Sequence, residues 1–229
     1  LLNKDILPII PSQGSVGASG DLAPLAHMTL PLLGLGKVKY NKNTVDAKTA
    51  LEKVGLNSIE LSYKEGLALV NGTQFSTAYG VLNAKHIDNL IQLADICGAM
   101  SVEGLNGSYK PFHKKVHVIK AHSGQMASAE YLMKLLQDSE INESHRNCKR
   151  VQDMYSLRCM PQVHGASREI LNTFRRIIET EVNSVSDNPL VFIEDEDIVS
   201  AGQFHAEAVG QGMDIAAIAL TELGTISER

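Results

Sequence analysis

The chain has 229 residues, 44% of them apolar, which is ample for a sizeable hydrophobic core. Its 21 Lys and Arg against 26 Asp and Glu give a net charge of −5, and no basic patch typical of nucleic-acid binding is present. No apolar run reaches the ~20 residues that a bilayer span needs, and no signal-peptide pattern is found. The 3 cysteines lack CxxC spacing, so the sequence predicts neither disulfides nor a zinc knuckle, and we expect a cytoplasmic protein.

The first distinctive feature in chain order is the glycine-rich segment GSVGASGDLAPLAHM at residues 14–28. Gly20 has no Cβ, so its amide nitrogen can fold back onto the carbonyl carbon of Ala18. Ring closure with loss of water gives an imidazolone, and loss of a second water from Ser19 gives a conjugated exocyclic methylene. Such a group is a strong electrophile, whereas unmodified side chains supply nucleophiles, acids and bases. An ordinary glycine-rich loop is the alternative for a bare Ala-Ser-Gly.

Beyond this tripeptide (residues 18–20), the pattern predicts mainly helices. Asp21 is expected to cap a helix over 21–34 whose positive end points at the tripeptide. Residues 38–46 alternate around a polar turn and predict a small β-hairpin, followed by a short helix at 47–54. Apolar residues at three- and four-residue steps predict a long helix over 76–103. Further helices are predicted at 126–138, 145–158, 166–184 and 204–227, with Pro161 and Pro189 as breaks.

Two segments within this helical pattern contain candidate polar side chains. In EGLALVNGTQ, Asn71 stands in an Asn-Gly turn, where Asn is common for backbone reasons alone. In VQDMYSLRCMPQVHG, the three-residue steps between Gln152, Tyr155 and Arg158 put them on one broad helix face. Arg can grip a carboxylate with two bonds, and Tyr, with its reference pKa of about 10, moves protons only where its ionisation is eased. A solvated face with ordinary surface pairs is the alternative.

A candidate metal site is formed by His113, His117 and His122, because His at i and i+4 on a helix can bind zinc. Two features argue against it. No acidic residue follows His113 in the HExxH manner, and Lys114 and Lys115 repel a cation. The sequence therefore predicts no metal.

Two later segments complete the set of candidates. SDNPLVF places Asn188 before a proline, which is typical of a turn. GQFHAE places Phe204 ahead of the last helical pattern. Neither segment indicates a function by its composition alone.

Together and in the same order, these segments resemble those of the aromatic amino-acid ammonia-lyases, most closely the branch that acts on histidine. That family carries a 4-methylidene-imidazol-5-one (MIO) electrophile, which the resemblance places at Ala18, Ser19 and Gly20, formed autocatalytically and without metal. The resemblance also implies an elongated helical bundle of the fumarase and aspartase type. It further implies a homotetramer whose active sites combine residues from several subunits.

The resemblance implies roles for the matching side chains. Arg158 is expected to bind the substrate carboxylate, Asn71 and Gln152 to orient substrate and electrophile, and Tyr155 to assist proton transfer. Two residues are expected to border the bound ligand: Asn188 and Phe204. The sequence departs from the family pattern where Gln203 replaces the usual Asn and Ala208 the usual Pro, which leaves Gln203 without a role.

The implied reaction is non-oxidative elimination of ammonia from an aromatic L-amino acid, with L-histidine to trans-urocanate, as in histidine catabolism, the expected case. A tyrosine or phenylalanine ammonia-lyase and an MIO aminomutase are alternatives. From another class, the chain could be a helical oligomerisation module without activity. The partner expected in every enzymatic case is a small amino acid, with neither nucleic acid nor membrane.

The ends of the sequence bear on its organisation. It opens with Leu1 inside an apolar run and stops at Arg229 after a helical pattern, so we expect the central fragment of one lyase domain, inactive by itself. Within that fragment we expect three parts. They are the tripeptide loop with its helix at 1–36, a hairpin and helix insert at 37–65, and a helical bundle segment at 66–229.

Overall fold

The computed structural model describes all 229 residues and is mainly helical, as the sequence predicts. The helices are α1 (Leu22–Thr29), α2 (Ala47–Lys53), α3 (Glu65–Ala68), α4 (Gln74–Gly104), α5 (Lys114–Val118), α6 (Ser123–Leu135), α7 (Glu140–Ser144), α8 (Tyr155–Arg158), α9 (Met160–Val182) and α10 (Glu207–Glu228). The strands are β1 (Leu7–Pro8), β2 (Lys37–Tyr40), β3 (Asn43–Asp46), β4 (Leu190–Phe192) and β5 (Asp197–Val199). No helix combines the length and apolar composition that a membrane span requires.

The chain forms two compact units. Unit 1 consists of Leu1–Gly80 and Ile178–Gly210, and unit 2 of Val81–Ile177 and Gln211–Arg229. The boundaries fall within the long helices α4, α9 and α10, each of which contributes residues to both units. The three-part division expected from the sequence stays a prediction.

In unit 1, the predicted hairpin forms between β2 and β3, with Tyr40 paired to Asn43. Asn41 and Lys42 connect the strands with φ of 49° and 65°, the two positive values that a tight type I′ hairpin turn requires. Strand β1 adds a third, antiparallel strand beside β2, which its two-residue length hid from sequence analysis. Residues of the sheet, of α2 and of the segment just before β1 share one buried cluster: Ile6, Val38, Ala47, Ala50 and Leu51.

In unit 2, α6 and α9 approach each other until their backbones touch. A Cβ on Gly165 would lie 2.3 Å from the Cα of Gln125, and one on Gly124 would lie 2.3 Å from the carbonyl oxygen of Gly165. Packing at this crossing of α6 and α9 therefore requires glycine at both positions.

The hydrophobic core of unit 2 is formed by Ala99, Val102, Phe112, Leu132, Leu136, Leu157, Met160 and Ile226.

The long predicted helices are confirmed with shifted ends. Helix α4 covers the predicted 76–103, and α6 and α10 overlap their predicted ranges. Helix α9 begins at Met160 and therefore includes Pro161 in its first turn. Proline is tolerated there because first-turn N–H groups have no intrahelical partner. Helix α1 ends at Thr29 and continues as a 3₁₀ turn that stops at Gly34, whose φ is 72°.

The predicted helix over 145–158 is wrong. Only its last turn, α8, is helical, and residues 145–154 lie in turns and irregular chain. The carboxylate of Asp153, whose side chain is 7% exposed, accepts a hydrogen bond of 2.6 Å from the backbone N–H of Ser108. The guanidinium of Arg150 donates to the carbonyl oxygen of Leu105 at 3.3 Å. These bonds to a distant backbone stabilise a non-helical conformation.

A second hairpin, β4 with β5, was not predicted. Leu190 pairs with Val199 and Phe192 with Asp197, across a turn in which Glu196 has a φ of 53°. Short consecutive runs of apolar residues on both sides of the acidic stretch at 194–197 were the signal that could have identified it.

Candidate active site

The tripeptide lies in an irregular loop that leads into α1, all within unit 1. Ala18 and Ser19 are exposed, whereas Gly20 is buried. Gly20 has a φ of +79°, a left-handed conformation that favours glycine. A Cβ at this position would lie 2.8 Å from both the amide nitrogen and the carbonyl oxygen of Gly72. Both the conformation and the space therefore require glycine.

The predicted Asn-Gly turn, at residues 71–74, holds the tripeptide. Asn71 is 7% exposed, and its Nδ2 donates a hydrogen bond of 2.7 Å to the carbonyl oxygen of Ser19. The next residue, Gly72, accepts a hydrogen bond of 2.7 Å at its carbonyl oxygen from the N–H of Asp21. The turn is therefore hydrogen-bonded to the chain on both sides of Gly20, at Ser19 and at Asp21.

Asp21 occupies the position before α1, but its side chain does not cap that helix, contrary to the prediction. Its fully buried carboxylate accepts hydrogen bonds from the hydroxyl of Ser15 (2.5 Å), the hydroxyl of Ser76 (2.7 Å) and the backbone N–H of Ser76 (2.8 Å). Ser76 lies in the first turn of α4, where backbone N–H groups lack intrahelical partners. Asp21 therefore caps α4 and ties the tripeptide loop to it.

A second set of hydrogen bonds, which sequence analysis did not predict, joins the Asn-Gly turn to residues 181–186. The hydroxyl oxygen of Ser186, a residue 5% exposed, accepts from the N–H of Thr73 at 3.3 Å and from Nε2 of Gln74 at 3.0 Å. The Thr73 hydroxyl donates to the carboxylate of Glu181 at 2.5 Å. Ser186 and Thr73 are separated by 113 positions, so no local spacing could have linked them.

Asn188 and Phe204 also belong to unit 1. The Oδ1 of Asn188 accepts a hydrogen bond of 2.7 Å from the N–H of Ala201, which joins the segments on either side of the second hairpin. Phe204 is partly buried in a turn. Two residues later, the N–H of Ala206 donates to the carbonyl oxygen of Gly17 at 3.0 Å. The segment that carries Phe204 therefore lies against the tripeptide loop.

The other three candidates belong to unit 2. Gln152 and Arg158 line one cavity of about 380 Å³, whereas Tyr155 is 55% exposed and is not part of its lining. Gln152 precedes α8, so the predicted common helix face does not form. The cavity lining carries more cationic than anionic side chains: Lys110, Arg146, Arg150 and Arg158, against the single carboxylate of Asp153.

Arg158 forms no ion pair with a carboxylate of this chain. Its Nε is buried without a hydrogen-bond partner. A buried donor without a partner costs free energy, and an anion that supplied the missing acceptor would recover that cost. The guanidinium of Arg158 is therefore available to bind an anion. A free amino acid must present a carboxylate, which is such an anion.

Two of the three histidines in the candidate metal site, His113 and His117, have structural roles in this fold. Both ring nitrogens of His117 are engaged, Nε2 with the carbonyl oxygen of Pro111 and Nδ1 with the side chain of Gln125, each at 2.9 Å. Burial lowers the pKa of His117. The Nδ1 of His113 accepts from the N–H of Lys115 and caps α5. No group of three or more His, Cys, Asp or Glu side chains is arranged to hold a metal ion.

Two features indicate the class of protein to which the chain belongs: the mainly helical fold, and the Ala-Ser-Gly tripeptide held by hydrogen bonds from an Asn-Gly turn. The chain belongs to the aromatic amino acid lyase family, whose model matches residues 1–229. It is 54% identical over 229 residues to a histidine ammonia-lyase of Myxococcus xanthus, a match that covers 100% of this chain and 45% of that protein.

Solved structures of other proteins share the fold of this chain. The histidine ammonia-lyase of Trypanosoma cruzi superposes with a TM-score of 0.88 at 41% identity, covering 99% of this chain and 42% of that one. A tyrosine aminomutase of Streptomyces globisporus superposes with a TM-score of 0.89 at 37% identity, covering 100% of this chain and 46% of that one. The chain thus spans under half the length of the relatives that it matches.

Proposed function

We propose that this chain is part of an enzyme that eliminates ammonia from an aromatic L-amino acid without oxidation, converting L-histidine to trans-urocanate. The main support for this proposal is the contact between the Asn-Gly turn and the tripeptide. Asn71 donates a hydrogen bond to Ser19, and Gly20 packs closely against Gly72. The 54% identity to the Myxococcus xanthus histidine ammonia-lyase supports histidine as the substrate.

The residues present fit an MIO group at Ala18, Ser19 and Gly20. Gly20 sits in a cradle that a Cβ would fill, in a conformation that favours glycine. When formed, the group supplies an electrophile to which the amine or the aromatic ring of the substrate can bond. Asn71 donates to the carbonyl oxygen of Ser19 and so draws electron density away from the tripeptide.

The other candidate side chains divide the binding work. Arg158, which has no ion pair in the chain, holds the substrate carboxylate, and Gln152 at the same cavity orients the substrate. Tyr155, with its exposed phenol, assists transfer of the barely acidic β-proton. Asn188 and Phe204 border the bound ligand in the complete enzyme. We further propose that the complete enzyme is a homotetramer whose active sites combine residues of several subunits.

The test is made on the full-length enzyme, which is this chain together with the further segments that its relatives have. Incubation with histidine should produce the ultraviolet absorbance of urocanate, and Ser19→Ala should abolish turnover. The circular dichroism spectrum of Ser19→Ala should match that of the parent, because residue 19 is exposed in a loop outside the helices. Turnover retained by Ser19→Ala would remove the proposed mechanism.

The same assay separates the alternatives. The 37% identity to a tyrosine aminomutase keeps an aminomutase as second candidate, and it predicts a β-amino acid as product when tyrosine is supplied. Release of ammonia from tyrosine or phenylalanine in preference to histidine would indicate a different lyase. A parent protein of full mass, with Ser19 intact and no turnover on any of the three amino acids, would favour a helical oligomerisation module.

A further inference from the structure

We propose that Ser186 is a positioning residue for formation of the electrophile, because its hydroxyl holds the Asn-Gly turn against the tripeptide while that segment cyclises. The inference rests on the proposed function, since it concerns how the MIO group of that enzyme forms. It assigns a role to a side chain that neither touches the tripeptide nor contacts a substrate.

Ser186 is well placed to act as a fixed anchor. Its hydroxyl oxygen accepts two hydrogen bonds, from the N–H of Thr73 and from Nε2 of Gln74, which uses both lone pairs. The residue that follows it, Asp187, pairs with the ammonium of Lys64. Ser186 is also buried, and the ion pair of the next residue fixes the chain on its C-terminal side.

The contacts run without interruption from Ser186 to the tripeptide. Thr73 follows Gly72, whose carbonyl oxygen accepts from the residue after the tripeptide, and Gly72 follows Asn71, which donates to Ser19. An added Cβ on Gly20 would come within 2.8 Å of Gly72, so the turn and the tripeptide are already in close contact. Movement of the turn away from Ser186 would relax both hydrogen bonds and this contact.

Cyclisation is sensitive to such movement because the two atoms that bond must be pressed closer together than their van der Waals radii normally allow. The amide nitrogen of Gly20 bonds to the carbonyl carbon of Ala18, whose oxygen leaves as water with the amide protons of Gly20 and Ser19. The Ser19 hydroxyl then leaves as a second water with the Cα proton, which creates the Cα=Cβ double bond. Misplacement of reacting groups by about 1 Å can slow a reaction by about 10²-fold.

A purely structural role for Ser186 makes a different prediction. Loss of the hydroxyl leaves the buried N–H of Thr73 unpaired, which lowers stability by about 1–3 kcal/mol whether or not cyclisation depends on it. Stability by itself therefore does not distinguish the two roles. The completeness of cyclisation in folded protein does.

The experiment compares four forms of the full-length enzyme: the parent, Ser186→Ala, Ser186→Thr and the matched control Ser184→Ala. The exposed Ser184 hydroxyl donates only to the Thr180 carbonyl of its own helix end. Intact mass and mapping of the peptide that contains residues 18–20 measure the loss of two waters at fixed times after purification. Thermal unfolding and kcat are recorded alongside.

The parent, Ser186→Thr and Ser184→Ala should show complete loss of both waters. Folded Ser186→Ala should show an uncyclised fraction that falls with time at a rate at least tenfold below the parent's. Its kcat should scale with the cyclised fraction while KM is unchanged. Complete cyclisation of Ser186→Ala at the parent's rate would overturn the inference and leave the proposed function intact, whereas an uncyclised parent would overturn both.

A second variant keeps the test decisive if Ser186→Ala does not fold. Ser186→Cys preserves the shape of the side chain, and its sulfur is a weak hydrogen-bond acceptor. We expect it to fold and to cyclise more slowly than the parent. Cyclisation at the parent's rate in this variant would equally overturn the inference.

Discussion

Individual side chains in this protein act where two distant segments meet. The buried carboxylate of Asp21 joins Ser15 to Ser76, and Asn71 joins its turn to Ser19. Arg158 differs, because no carboxylate of the chain neutralises it and its Nε has no partner. That contrast distinguishes residues that join segments of the candidate site from Arg158, which keeps a hydrogen-bond donor without a partner.

Arg158→Lys tests this availability in the full-length enzyme. Lys keeps the charge but loses the planar fork that binds a carboxylate with two bonds. We expect KM for histidine to rise about tenfold or more, equivalent to about 1.4 kcal/mol, with kcat changed much less. Steady-state kinetics check this, with Arg146→Lys as control, since Arg146 lines the same cavity but already pairs with Glu143. An unchanged KM in Arg158→Lys would contradict the carboxylate role.

Among the helices, the crossing of α6 and α9 depends on glycine, because backbone atoms cannot rotate away from an added methyl group. The neighbouring buried network strengthens the same pair of helices. Arg168 of α9 donates from Nε to the hydroxyl of Ser128 in α6 at 2.8 Å and pairs with Asp95 of α4, which also accepts from His164 at 2.7 Å. The N-terminal half of α9, which follows directly after Arg158, is thus held on two sides.

Gly165→Ala should therefore destabilise unit 2. The new Cβ would lie 2.3 Å from the Cα of Gln125, so the helices must separate, at a cost of about 1–3 kcal/mol or more. Urea denaturation followed by circular dichroism measures the change. The matched control is Gly224→Ala in the interior of α10, where a Cβ meets nothing within 4 Å. That control should stabilise by about 0.5–1 kcal/mol, and equal effects of the two variants would contradict the packing argument.

For the chain as a whole, two groups link folding to pH. Burial lowers the pKa of His117 below its ordinary value of 6.5. A hydrogen bond from the Ser123 hydroxyl, and then one from the N–H of Gly124, lower the pKa of Glu169 below 4.5. In both cases the unfolded state binds the proton more tightly. Stability is therefore fully present above the unfolded pKa and is lost as the pH falls through and below it.

We accordingly expect the free energy of unfolding to be constant above pH 6.5 as far as His117 is concerned, to decrease as the pH falls below 6.5, and to decrease further below 4.5. Urea titrations at a series of pH values measure both steps. His117→Gln should remove the upper step, whereas the same substitution at the exposed His86 should leave it in place. An upper step of the same size in His117→Gln would assign it to another group.

Local patterns along the sequence predicted several elements of the fold. The mainly helical class, the hairpin at 38–46 and the long helix α4 are confirmed, because each depends on contacts within a few residues along the chain. The family, inferred from the resemblance of several segments, is also confirmed. The candidate segment around Ala18, Ser19 and Gly20 was identifiable from the sequence because the proposed cyclisation involves adjacent residues. The roles assigned to individual site residues stay predictions.

The contacts that position the site came only from the folded chain. The carboxylate of Asp21 caps a helix at Ser76, 55 positions away, and that of Asp153 replaces a predicted helix by bonding to Ser108, 45 positions away. Ser186 lies 113 positions from Thr73. Periodicity and spacing report the energetics of neighbouring residues. A buried polar group, in contrast, takes whichever partner the packed chain brings within 3 Å, and no pattern of residue types along the chain specifies that partner.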